Sequence, residues 1–142
     1  MTTTDQPAGA LTVGSENQPF VDKPSTITDY VRYQGASGDM NPIHHDSSFA
    51  AKSGYPTPFA VGMLQAGVLG TYATDWLGAE NVRRFKVQFR EQSWPGDVLT
   101  YTGKIVAERE EGGERLLEVE LACTRQTGGV HLLGWATFVA PS

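Results

Sequence analysis

The sequence predicts an α+β domain in two layers, a long buried helix held by an antiparallel sheet of about five strands. Three observations predict it. Residues 59–77 repeat apolar side chains near helical spacing and carry only one charge, Asp75. After Asn81 the apolar period drops to two and stays there. Turn-forming clusters punctuate this second half at Pro95-Gly96-Asp97, at Gly112-Gly113 and at Gln126-Thr127-Gly128-Gly129.

Taken in order, residues 1–10 read as a flexible polar tail and residues 11–142 as one domain. Leu11 to Lys23 is weakly patterned, a short strand or a draped segment. Ser25 or Thr26 can cap a helix that puts Ile27, Tyr30 and Val31 on one face, and Gly35 and Gly38 suit its exit. In the central helix Val61, Leu64, Val68, Tyr72 and Trp76 form one stripe, and Gly62, Ala66 and Gly70 form a second. A glycine inside a helix costs up to about 1 kcal/mol relative to alanine, so the small stripe predicts close packing against a flat surface. Pro56-Thr57-Pro58 stiffens the approach and Gly78 ends the helix. Phe85, Val87 and Phe89 then share one strand face. Leu99 to Ile105, Leu117 to Cys123 and Val130 to Ala140 supply three further strands, and all four are expected to follow one another, joined by short turns, as an antiparallel meander. Such a sheet has a free edge that a second subunit can cover.

Composition narrows the function classes. The chain has 142 residues, 39% apolar and 19% charged, which suits one globular domain with its own core. A net charge of −5, with eleven basic residues that never cluster, argues against nucleic acid. A local basic pocket for an anionic ligand remains compatible with that total. The one cysteine, Cys123, lies in a strand-like apolar run and cannot form an intramolecular disulfide, which fits a reducing cytoplasm. The first residues lack the basic and apolar regions of a signal peptide, and no apolar run is long enough for a membrane helix.

The stretch with most chemistry is Asp39-Met40-Asn41-Pro42-Ile43-His44-His45-Asp46. It carries a carboxylate five positions before an imidazole. Pro42 fixes its own φ and pushes Asn41 toward extended backbone, so the segment is a stiff loop. Such a loop can hold two proton-transfer groups at a set separation. The structural alternative is a capped turn, with Asn41 bonded to its own turn and Asp46 capping a helix from Ser47. On the octapeptide alone the two readings stand level. Asp39, His44, His45 and Asp46 also invite a metal, but neighbouring residues of an extended segment point apart, and no metal is expected.

Ser37 through Asp46, together with Gly62-Met63-Leu64, the strand Phe85 to Phe89 and Pro95-Gly96-Asp97, resembles the MaoC-like dehydratase family, over roughly residues 11–140. The resemblance implies the hot-dog fold and (R)-specific hydration of trans-2-enoyl thioesters, or the reverse dehydration of 3-hydroxyacyl thioesters. The acyl group would ride on coenzyme A or on acyl carrier protein, with no cofactor. It further implies that Asp39 and His44 are the catalytic pair and that the Gly62 N–H binds the thioester oxygen. Asn41 is a possible support. The chain departs from the family at Val61, where histidine is usual, and at Gly70, where some members have a helper serine. Both changes bear on pocket shape. A homodimer is expected, or a heterodimer with a second hot-dog subunit.

Two other functions compete. A non-catalytic or partner-dependent subunit that binds acyl thioesters is favoured by Val61 and Gly70, whereas intact Asp39 and His44 favour the enzyme. Thioester hydrolysis would need a carboxylate on the central helix near Gly62, and the helix offers only Asp75, far away. His131 reads as a surface or sheet residue. Arg83, Arg84 and Arg90 read either as phosphate ligands or as a solvated strand face.

Overall fold

The computed structural model describes residues 11–142, so the expected tail at residues 1–10 lies outside the described residues. A two-residue strand β1 (Phe20–Val21) precedes helix α1 (Ile27–Ser37), a 3₁₀ turn (Pro42–His44) and helix α2 (Ser47–Lys52). The long helix α3 (Gly62–Leu77) follows, then strands β2 (Val82–Phe89), β3 (Leu99–Glu111), β4 (Glu114–Arg125) and β5 (Val130–Val139). Among the described residues no helix is long and apolar enough to cross a membrane.

Local chemistry sets these boundaries. Thr26 and Asp29 close a reciprocal capping box at the start of α1, and Gly38 ends it at φ 80°, a left-handed conformation that favours glycine. Its buried face differs from the expected one. Tyr30 and Gln34 are buried while Val31 is 48% exposed. Tyr30 packs with Ala60 and Val61, so α1 docks over the approach to α3. A polar side chain wins the inner position from Val31 because the loop beyond the helix needs its hydrogen bonds.

The sheet order is β1-β3-β4-β5-β2, antiparallel in each pairing the sheet makes. This corrects the expected four-strand meander. Only β3, β4 and β5 follow one another, while β2 pairs with β5 at the far edge. Pro95-Gly96-Asp97 is a turn, but it lies in a segment that crosses from one edge toward the other rather than in a hairpin. The crossing is held by Ala60, whose N–H donates to the Ser93 carbonyl at 2.9 Å, and by Ser25, bonded to both Gly96 and Asp97. Asp97 anchors it further, accepting from Arg125, Gln126 and the Trp94 N–H.

The core lies between α3 and the sheet, around Leu69, Tyr72, Leu77, Tyr101, Ile105, Leu121 and Phe138. Along the middle of α3, close approach is achieved by glycines of the sheet rather than by those of the helix. A β-carbon on Gly103 would meet Trp76 at 3.2 Å and Tyr72 at 3.3 Å, and one on Gly134 would meet Leu69 at 3.1 Å. Both glycines flank Leu121 in register. On the helix, a β-carbon at Gly70 would meet only the Phe85 ring, at 3.7 Å, and one at Gly67 would meet nothing within 4 Å. The expected small stripe therefore packs closely at Ala66, which is buried, and at Gly62, where the β2 residue Phe89 crowds in.

Candidate active site

The stiff loop is a capped turn that also carries Asp39 and His44 to the lining of one cleft. Asn41 accepts from the Ile43 N–H through its side chain and caps the 3₁₀ turn, with Pro42 at its first position. Asp46 accepts from the Ser48 and Phe49 N–H groups and caps α2. The Asp39 carboxylate accepts from the Asn41 N–H at 3.3 Å. Gln34, buried on α1, holds the whole loop: its amide donates to the Asn41 carbonyl at 2.9 Å and its oxygen faces His45 Nδ1 at 2.8 Å.

His44 and His45 diverge, as adjacent residues should. The His44 ring turns inward, edge-on to Phe59, with Nδ1 2.8 Å from the Phe59 carbonyl. A carbonyl only accepts, so Nδ1 carries a proton and Nε2 is the ring nitrogen left free to exchange one. The residue two positions beyond Phe59, Val61, is the N-cap of α3 and makes no side-chain capping bond. Gly62 is the first helical residue, and its N–H therefore has no carbonyl within the helix to bond.

These groups meet at one cavity. Asp39, His44, Val61 and Gly62 all line a cleft of about 410 Å³ at the N-terminal end of α3. The positive end of the helix dipole faces the same space. Asn41 and Gly70 are not among its lining residues; Asn41 serves its own turn and Gly70 faces Phe85. Of the three arginines, Arg90 reaches the cleft, Arg83 pairs with Glu114, and Arg84 lies on a different face.

His131 is the main correction. It is buried, it lines the cleft, and its Nδ1 donates to the Glu91 carbonyl at 2.6 Å. Burial pushes its pKa down against the opposing effect of that hydrogen bond, which keeps the imidazole neutral. Its place in β5 was legible, but the cleft wall was not, because it forms only where β5 meets the segment Arg90 to Gln92, some 40 residues earlier in the chain. Phe59 and Phe89, also missed, supply the aromatic walls. Gln34 gave no signal in the sequence beyond its helical position.

Residues 11–126 match the family described as MaoC like domain. The chain belongs to the MaoC-like domain family. It is 33% identical over 90 residues to 3-hydroxyacyl-thioester dehydratase Y of Mycobacterium tuberculosis, covering 61% of this chain and 30% of that protein. It is 36% identical over 100 residues to fatty acid synthase subunit beta of Gibberella zeae, covering 68% of this chain and 5% of that protein. The MaoC-like chain thus spans 30% or less of these curated relatives. Among solved structures, the (R)-hydratase of A. caviae involved in PHA biosynthesis superposes with a TM-score of 0.81 at 22% identity, covering 93% of this chain and 98% of that one. The ChsH1-ChsH2 complex of Mycobacterium tuberculosis gives 0.79 at 21% identity, covering 92% and 98%. These likenesses establish the hot-dog fold, a five-stranded antiparallel sheet with a few helices in one domain.

Proposed function

We propose that this domain is a hydro-lyase that hydrates trans-2-enoyl thioesters with (R) specificity, or dehydrates 3-hydroxyacyl thioesters, on coenzyme A or acyl carrier protein. The observation that carries the reading is the convergence of Asp39, His44 and Gly62 on one cleft. In the hydration direction Asp39 holds the water and His44 Nε2 takes its proton. The oxygen adds to the β-carbon, the C=C pair moves toward the thioester, and the charge gathers on the carbonyl oxygen. There the Gly62 N–H and the helix dipole receive it. The proton then returns to the α-carbon, so no atom is left over. The family membership and the names of the dehydratase and hydratase relatives support the same class.

The assembly proposed is a homodimer formed across β2. That strand is a sheet edge, and it presents Phe85 at 39% and Phe89 at 51% exposure. A second hot-dog subunit is the other candidate for that edge, as the heterocomplex among the structural neighbours illustrates. The buried free thiol of Cys123 suits a reducing cytoplasm, the compartment proposed here.

The competing reading is a partner-dependent subunit. The observation in its favour is Val61, an apolar, uncapped residue lining the cleft where the family usually places histidine. One experiment separates the two. Purified protein is given trans-2-butenoyl-CoA and the loss of the conjugated thioester absorbance is followed. The enzyme reading expects turnover that falls at least about 10²-fold in Asp39→Asn and in His44→Ala. Inert wild type with both CoA-linked and carrier-linked substrate would transfer the case to the subunit reading.

A further inference from the structure

His131 and Gln65 are unusual neighbours. They are 3% and 4% exposed, and His131 Nε2 lies 3.4 Å from the end of the Gln65 side-chain amide. Because Nδ1 donates to the Glu91 carbonyl, Nε2 of the neutral ring is a lone pair. The Gln65 amide must therefore turn its NH₂ toward it, and even then the bond is long. Buried polar groups are as a rule fully bonded, so a pair sharing one long contact has spare donors and acceptors.

Their position gives that spare capacity a purpose. His131 lines the catalytic cleft, whereas Gln65 lines a neighbouring cavity of about 370 Å³ with Tyr30, Leu64, Val68 and Tyr101. The pair thus stands where the two spaces adjoin. The cleft is buried at His44, Ala60, Val61 and His131 and exposed at Asp39, Met63 and the run from Phe89 to Gln92. A carrier arm that leaves through this exposed rim puts the acyl chain among the buried residues, of which His131 is one. Gln65 lies three residues after Gly62 on α3, about 5 Å along the helix axis, a distance of a few carbons from the thioester oxygen.

We infer that His131, with Gln65, is a specificity-determining residue that selects acyl chains bearing a hydroxyl or keto oxygen a few carbons beyond the reacting pair. A hydroxyl donates to Nε2 and a keto oxygen accepts from the Gln65 amide. A plain alkyl chain at the same place would strip water from both and give nothing back. The inference rests on the hydratase reading for which end of the ligand faces inward.

Calorimetric binding of saturated, non-reacting thioesters tests it without turnover. Wild type should bind 5-hydroxyhexanoyl-CoA and 5-oxohexanoyl-CoA about tenfold more tightly than hexanoyl-CoA. His131→Asn keeps a donor for the Glu91 carbonyl and removes Nε2, and Gln65→Leu removes the amide. Both should reduce the preference to near one, and His44→Ala should retain it. Equal binding of the three ligands by wild type, binding of none of them, or a preference that persists in either variant overturns the inference. Should His131→Asn fail to fold by circular dichroism, Gln65→Leu decides alone. Turnover of trans-2-butenoyl-CoA by the same wild-type sample shows separately whether the hydratase reading stands.

Discussion

Gly62 and Phe89 stand so close that a β-carbon on the glycine would lie 2.5 Å from the phenyl ring. The cleft-lining first residue of α3 is thus glycine for a steric reason seated on strand β2. Gly62→Ala keeps the N–H but drives the ring aside, and kcat/KM for trans-2-butenoyl-CoA should fall. Phe89→Ala in the same chain should recover part of the loss, with a coupling of about 1–2 kcal/mol in a double-mutant cycle. Additive losses would show that the ring contact is irrelevant.

Gly70 makes the opposite case. A β-carbon there would sit 3.7 Å from Phe85, ordinary contact, in the middle of α3. Gly70→Ala should raise stability by about 0.5–1 kcal/mol through helix propensity, read as a higher thermal midpoint. A lower midpoint would mean that the site is crowded in the assembled protein.

Asp97 should govern the stability of the crossing segment and its response to acid. Burial pushes its carboxyl up, but the bonds from Arg125, Gln126 and the Trp94 N–H outweigh that and hold it below the usual range. Asp97 is buried but Arg125 is only partly so, and losing the charged hydrogen bonds at such a site typically costs about 1–3 kcal/mol, which Asp97→Ala should lose in urea unfolding. The folded carboxyl titrates below the unfolded one. Its stabilisation is therefore present above the unfolded value of about 4 and vanishes as pH falls through the folded value. The gap between wild type and Asp97→Asn should narrow in that acid window.

His131 predicts a second window. Burial, only partly offset by the Glu91 carbonyl and the nearby Asp97 charge, lowers its pKa, so the unfolded chain binds its proton more readily. Stability from this group is complete above about pH 6.5 and declines as pH drops below it. Urea unfolding between about pH 5 and 7.5 should show a pH-dependent loss in wild type that is smaller in His131→Leu. Parallel curves for the two proteins would rule out a buried neutral imidazole.

Periodicity alone determined that this chain joins one long apolar helix to antiparallel strands, because side-chain spacing follows helix and strand geometry directly. The loop chemistry at Asp39 to Asp46 was equally local: Asn41 and Asp46 cap their own turns, so a few neighbouring residues sufficed to read them. Only tertiary structure decided that β2 joins β5 rather than β3, that Gln34 rather than Val31 is buried, and that His131 is part of the cleft. Those outcomes are set by partners 7 residues away for Gln34 (Asn41), 40 for His131 (Glu91) and 43 to 56 for the pairing of β2 with β5. Burial and pairing at that range are properties of packed surfaces, which no window of sequence contains.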